Sequence, residues 1–287
     1  MKPLMNVEDF HKALISWGKT NFREYPWRLT NNPYEILIAE LMLHRTQASQ
    51  VVKVYEQFIA RYPTPQRLLK ATEEEIESSL HSLGLLWRIR LIHKLAQVIV
   101  TTYEGRVPVE KEKLILLPGI SDYIASAVRC FAWNLPEAIV DTNTVRVVGR
   151  LLGLETKDSS RRNQQVRKLI RDLVDEDAPR DYNFAILDLA DGICLAKRQP
   201  LHAICPVLSY CRYGNLHGQH EAGDQRIREI APKVVRNEEQ IPRQSVAGEH
   251  IYLISMVREE SSSISLTHPI VHIRRQTKKH GRMIQAR

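Results

Sequence analysis

Residues 116–123 read Leu116-Leu117-Pro118-Gly119-Ile120-Ser121-Asp122-Tyr123. Apolar residues lead into a Pro-Gly turn, and a serine then precedes the stretch Asp122 to Trp133, whose apolar residues recur at helical spacing. The stretch predicts two helices, Leu114 to Leu117 ending the first, joined by a tight hairpin. Such a corner points unpaired backbone N–H groups at one spot, and the start of the second helix adds positive potential there. A DNA phosphate suits that spot. Any Pro-Gly between two helices can also make an ordinary corner, so the surroundings decide.

The surroundings are helical. Asn32-Pro33 offers a cap followed by proline at the first helical position, and Tyr34 to Arg61 carries an apolar stripe. Thr64-Pro65 repeats the device. Thr72 with Glu75 makes a capping box for a helix that Gly84 ends, and Trp87 to Tyr103 forms the next, stopped by Gly105. Asp141, Ser159 and Asp181 are candidate caps for three further helices, with Gly153 ending the first. No stretch before residue 215 sustains the alternation of a strand, so the body is expected to be all α. Beyond Gly214, polar residues dominate until His250 to Val257 and Ile264 to Ile273, whose composition suits a small β-hairpin. Arg274 to Arg287 has basic residues and no acidic ones, the pattern of a solvated or nucleic-acid-contacting arm rather than a folded element. There is no internal repeat.

Composition limits what such a chain does. It has 287 residues, 43% of them apolar, a net charge of +8 and a pI near 9.3, which favours a polyanionic partner, nucleic acid first. No apolar run approaches the roughly 20 residues of a membrane span, and Met1 to Phe10 lacks a signal-peptide core, so a soluble, non-secreted protein of the cytoplasm, nucleoid or nucleus is expected. Of four cysteines, Cys194, Cys205 and Cys211 crowd together while Cys130 stands apart inside the helix Asp122 to Trp133, where core packing is expected. In an intracellular chain the crowding points to a metal site before a disulfide framework.

The hairpin, followed by Ile139-Val140-Asp141-Thr142-Asn143-Thr144 and then by the cysteine cluster, resembles the helix-hairpin-helix DNA glycosylase superfamily, in the branch of endonuclease III and the adenine and thymine mismatch glycosylases. The resemblance runs from Tyr25-Pro26-Trp27-Arg28 through Cys211, roughly two-thirds of the chain, in the expected order. It implies a two-lobed glycosylase domain over 1–214. A six-helix lobe with the hairpin spans 29–137, and 1–28 plus 138–214 form a lobe around a metal-cluster loop. The extension 215–287 shares no pattern with the family.

By the same resemblance Asp141 matches the catalytic aspartate at a helix start, where the macrodipole is expected to hold it ionised opposite positive charge developing at the sugar C1′. It can also be simply a cap. Tyr123 stands where bifunctional members place a lysine. A tyrosine is a weak nucleophile at neutral pH and forms no Schiff base, which implies an enzyme without lyase activity. Glu40 matches a glutamate facing the flipped base, although a lone glutamate on an amphipathic helix is usually solvated; it shares a face with Ile36, Leu43, His44 and Gln47. His44-Arg45-Thr46-Gln47 falls where the family contacts the opposite strand, and the Arg45 guanidinium suits a guanine edge or a phosphate. Leu86 or Trp87 stands at the wedge that fills the gap left by the extruded nucleotide, with a buried core tryptophan as the plain alternative. Leu117, Gly119 and Ser121 fall in the phosphate-binding hairpin, and Ser121 departs from the glycine usual there, either hindering the approach of the phosphate or capping the following helix.

The family's iron–sulfur members use four cysteines spaced C-x6-C-x2-C-x5-C. Here the last two intervals fit only if His202 takes the second place: Cys194-x7-His202-x2-Cys205-x5-Cys211. Histidine can ligate a cluster iron, so a [4Fe–4S] cluster is expected, with tetrahedral zinc as the alternative and a degenerate site without metal as the third. Together these matches imply a monomeric, monofunctional glycosylase acting on duplex DNA that carries a mismatched or damaged base, with T or U opposite G the first target. Adenine opposite 8-oxoguanine or guanine is the alternative; the tail does not look like a reader of oxidised guanine, and His-Arg replaces the Gln-Gln of adenine enzymes. A DNA-binding protein that keeps the fold without catalysis is the third reading.

Overall fold

A computed structural model describes residues 6–217 apart from positions 45 and 85, and omits the side chains at 86–88, 158 and 217. The helices are α1 (Val7–Asn21), α2 (Pro33–Leu43), α3 (Ala48–Arg61), α4 (Pro65–Leu69), α5 (Glu73–Leu80), α6 (Leu86–Thr102), α7 (Lys111–Ile115), α8 (Asp122–Trp133), α9 (Thr142–Leu152), α10 (Gln164–Asp172), α11 (Pro179–Gly192) and α12 (Arg212–His217). Among the described residues there is no strand, and no helix is long and apolar enough to cross a membrane. The expected hairpin and basic arm of the extension lie outside the described residues.

Caps read from the sequence account for several boundaries. Asn32 accepts from the Tyr34 amide and Pro33 opens α2; Thr72 and Glu75 form both halves of the capping box of α5. Gly153 closes α9 at φ +68°, a left-handed conformation that costs glycine nothing. Three readings need correction. The apolar stripe from Tyr34 to Arg61 is two helices, broken at His44 to Gln47. Ser159 lies within a short 3-10 turn (Asp158–Arg162), and Asn163 caps the helix that follows. Asp181 sits inside the first turn of α11; Asp175 takes the amides ahead of that helix, accepting from Asp177 and Ala178.

Two hydrophobic cores result among the described residues. One gathers α2, α3, α5, α6 and α8 around Leu37, Ile38, Met42, Phe58 and Ile92, with Tyr25 and Trp27 of the N-terminal loop. The other gathers α1, α9, α10 and the loop after α11 around Phe10, Leu14, Val148 and Ile170. Helix α11 serves both, giving Phe184 and Leu187 to the first and Tyr182, Ala185, Ile186 and Leu189 to the second. Helix α2 is buried almost all round, because its sequence is apolar on every face but for two glutamates.

Candidate active site

An open cleft of about 440 Å³ is lined by Arg28, Glu40, Tyr123 and Asp141, with Trp27 and Phe184 among its aromatic walls. Three of the residues proposed from sequence therefore converge, one each from the end of α2, the start of α8 and the start of α9. Local rules place them: Tyr123 falls in the first turn after the hairpin, and Asp141 is the cap of α9.

Asp141 is buried and doubly held. Its Oδ1 accepts from the Thr144 amide at 2.7 Å and its Oδ2 from Asn143 Nδ2 at 3.0 Å. Asn143 Oδ1 in turn accepts from Arg146 Nη1 at 3.0 Å, and Arg146 is anchored through Nε to the Cys194 carbonyl and through Nη2 to the Ala190 carbonyl. Capping and a site role coexist here. The helix terminus does not by itself keep the carboxylate at its ordinary value: burial pushes Asp141 up, and the bonds from Thr144, the charge of Arg146 and the bond from Asn143 pull the other way.

Glu40 is 4% exposed, so the solvated alternative is excluded. Burial pushes its carboxyl up to about 8, opposed by the Arg28 guanidinium and reinforced by Asp141, and its Oε2 has no hydrogen-bond partner. A buried carboxyl of this kind is protonated at neutral pH and can donate. Beside it Arg28 donates from Nη1 and Nη2 to the two oxygens of Asp188, at 2.7 and 3.0 Å, and stacks on Phe184 at 4.5 Å.

Tyr123 is half-buried, packed against the first core and facing the cleft. In the hairpin, Gly119 has φ +81°, where glycine alone is unstrained. Ser121 caps α8, its hydroxyl accepting from the Ile124 amide at 3.3 Å, so the serine takes the capping role. Leu117 is 2% exposed, its amide donates to the Leu114 carbonyl at 3.0 Å and its carbonyl accepts from the Ile120 amide at 3.1 Å, so it shapes the hairpin from within, whereas Leu116 beside it is 77% exposed. Gln47 is half-buried at the start of α3, outside the cleft lining. Arg45 and the side chains of Leu86 and Trp87 lie outside the described residues.

The thiols share one neighbourhood, since charge on Cys194 and Cys211 adds to the burial that pushes Cys205 up to about 12. Arg150 Nη1 donates to Cys194 Sγ at 3.3 Å, and the Gly214 amide donates to Cys211 Sγ at 3.3 Å. His202 is 5% exposed and its ring lies 6.0 Å from that of Tyr213. Among the described residues no three such side chains converge tightly enough to hold a single metal ion. Sulfur atoms with amide and guanidinium donors aimed at them suit thiolate ligands spread around a multi-iron cluster. Cys130 is fully buried and its Sγ meets Asn183 Nδ2 at 3.3 Å, as expected of a core thiol.

Sequence reasoning missed Arg28, Asp188, Asn143 and Arg146. Asp188 left a signal, an acid between Leu187 and Leu189 on a helix otherwise apolar there. Arg146 left none, because an arginine on a predicted amphipathic helix reads as solvated.

The HhH-GPD superfamily base excision DNA repair protein model matches residues 38–173. The chain is 39% identical over 214 residues to a thymine-DNA glycosylase of Aeropyrum pernix, covering 73% of this chain and 96% of the relative. It is 37% identical to a thymine/uracil-DNA glycosylase of Pyrobaculum aerophilum, over 69% and 88% of the two chains. An adenine DNA glycosylase of Homo sapiens is 33% identical over 74% of this chain, which spans only 40% of that protein. A solved thermostable thymine-DNA glycosylase superposes with a TM-score of 0.66 at 33% identity, over 73% of this chain and 97% of the other.

Proposed function

The chain belongs to the HhH-GPD superfamily of base-excision DNA repair proteins and is a DNA glycosylase, and we propose that it is monofunctional and hydrolyses the N-glycosidic bond of thymine or uracil opposite guanine in duplex DNA. The observation that carries the reading is the convergence of Glu40, Tyr123 and Asp141 on one cleft. The C1′–N bond breaks with its electron pair leaving on the base. Glu40, protonated at neutral pH, donates to the departing base, and Asp141 faces the positive charge at C1′. Water then adds to C1′ and gives up its proton to the carboxylate left on Glu40, which restores the starting state. Tyr123 closes the cleft wall and forms no Schiff base, so the strand is left uncut.

The hairpin from Leu117 to Ser121 takes a backbone phosphate at the Gly119 and Ser121 amides, and Arg45, Gln47 and a wedge at Leu86 or Trp87 meet the opposite strand and the vacated stack. Cys194, His202, Cys205 and Cys211 would hold a [4Fe–4S] cluster, with tetrahedral zinc as the alternative. When bound, such a cluster ties the loop after α11 together. Names of the relatives support thymine and uracil. Wobble-paired T or U opposite G is also poorly stacked and less costly to extrude than a well-paired base.

Single-turnover assays on duplexes with T or U opposite G and A opposite 8-oxoguanine or G test the reading. Faster release of T or U is expected. Faster release of adenine overturns the substrate assignment, and release of no base overturns catalysis and leaves a DNA-binding protein on this fold.

A further inference from the structure

Asp122 follows the hairpin directly, and its charge has the wrong sign for the phosphate proposed there. A carboxylate one residue beyond the Ser121 amide repels that phosphate unless cations offset it. Two do so. Lys111, at the start of α7, lies 3.1 Å from Asp122 Oδ1, and Arg167, from α10, donates through Nη2 to Oδ2 at 2.5 Å. Against the partial burial that raises it, the bonds from Arg167 and Lys111 hold the Asp122 carboxyl below its ordinary value, so it stays ionised and keeps both cations beside the hairpin.

The two cations are not equivalent. Lys111 has three N–H donors, and Ser126 Oγ at 2.7 Å and Glu137 Oε2 at 3.2 Å take the two that Asp122 leaves. Glu137 is shared in turn with Arg129, whose Nε donates to Oε1 at 2.5 Å while its Nη1 donates to the Val109 carbonyl. Three cations, Lys111, Arg129 and Arg167, thus meet two anions, Asp122 and Glu137, and one positive charge is left over. Arg167 is the member beside the hairpin with donors to spare. Its side chain is 29% exposed, Asp122 engages one of its five N–H donors, and among the described residues nothing else meets its guanidinium. Helix α10 repeats the sign, carrying Arg167, Lys168 and Arg171 against Asp172 alone, with Arg171 exposed one turn beyond Arg167.

Resting on the hairpin site proposed above, we propose that Arg167 is a further DNA-binding residue: held against Asp122, it donates to a backbone phosphate beside the hairpin amides, so that the second core adds a side-chain clamp to a site built on the first. The test is equilibrium binding of the full chain to an uncleavable mismatched duplex between roughly 50 and 200 mM salt, where each phosphate neutralised by a cation contributes about 0.9 to the slope of log affinity against log salt. Arg167→Gln is expected to bind about threefold or more weakly at low salt and to lose about 0.9 of that slope. Arg167→Lys keeps the charge but has no fork to serve carboxylate and phosphate together, so it should bind about threefold more weakly with the slope retained. A mere brace between the two cores would weaken binding by Arg167→Gln and leave the slope unchanged. That result overturns the inference, as does native affinity in either variant. If Arg167→Gln does not fold, Arg167→Lys decides alone: native affinity, or a slope lost with the charge retained, overturns it. A native protein that fails to bind the duplex at any salt would instead reject the reading beneath it.

Discussion

Asn143 Nδ2 donates to Asp141 Oδ2 at 3.0 Å, two residues along the same helix start, and thereby holds the carboxylate oxygen that capping leaves over. The capping oxygen is the other one, Oδ1. Asp141→Asn keeps the size and the cap but removes the negative charge. Base release is expected to fall by at least roughly 10²–10³-fold with duplex binding retained or tighter. Equal losses of binding and turnover would reduce Asp141 to a cap.

Tyr123 gives a second prediction. Native protein incubated with substrate and borohydride is expected to yield no covalent DNA adduct, since no amine faces C1′ from this position. Tyr123→Lys introduces one, and a trapped adduct in that variant would place position 123 beside the sugar. An adduct formed by the native protein would refute the monofunctional assignment.

Glu40 ties catalysis and stability to pH. With burial raising its carboxyl to about 8, the folded protein retains a proton that the unfolded chain releases at its usual value near 4.5. Stability therefore falls as pH rises through that window, and the loss is complete above about 8. Glu40→Gln is neutral throughout, so its melting temperature relative to native should rise between about pH 5 and pH 8. Its excision rate should drop by roughly 10²–10⁴-fold, the usual share of a general acid, and native activity should decline above about pH 8. A pH-independent difference in melting would show that Glu40 ionises normally.

Metal analysis checks the cysteine loop. Purified protein is expected to be yellow-brown with about four iron atoms per chain. His202→Ala should lower that content and destabilise the segment from Cys194 to Cys211. Zinc without iron would reverse the assignment, and unchanged iron in the variant would remove His202 from the ligands.

The helical body was legible because its boundaries are written in short-range chemistry: the Asn32-Pro33 and Thr72 caps, the Pro-Gly hairpin and the left-handed Gly153 each need only a few neighbouring residues. The break at His44 to Gln47 was not, because the apolar spacing continues across it and the interruption is imposed by tertiary packing. Asp181 misled for a related reason. Acids favour a first turn as well as a cap, and the amides ahead of α11 were taken by Asp175. At the site, Asp141, Glu40 and Tyr123 were found through motif order. Arg28 and Asp188 were not, since their pairing joins positions 160 residues apart and leaves no local pattern.

That separation also dictates an order of assembly. Helices α2 to α8 share one core, α2 against α8 included, and all are made before α11, so they can dock while synthesis continues. The wall around Glu40 is different: Tyr25 and Trp27 of the N-terminal loop can join the first core early, but the bracket of Arg28 forms only once Phe184 and Asp188 have left the ribosome, about 10–30 s later at ordinary elongation rates. We expect a chain stalled before α11 to remain cleavable by protease between α1 and α2, and one stalled well beyond it to be protected there. Early protection would show that the loop docks without α11. The last long helix among the described residues is then the latch for a pocket whose other walls were laid down first, and no product of translation that stops before α11 can carry a finished active site.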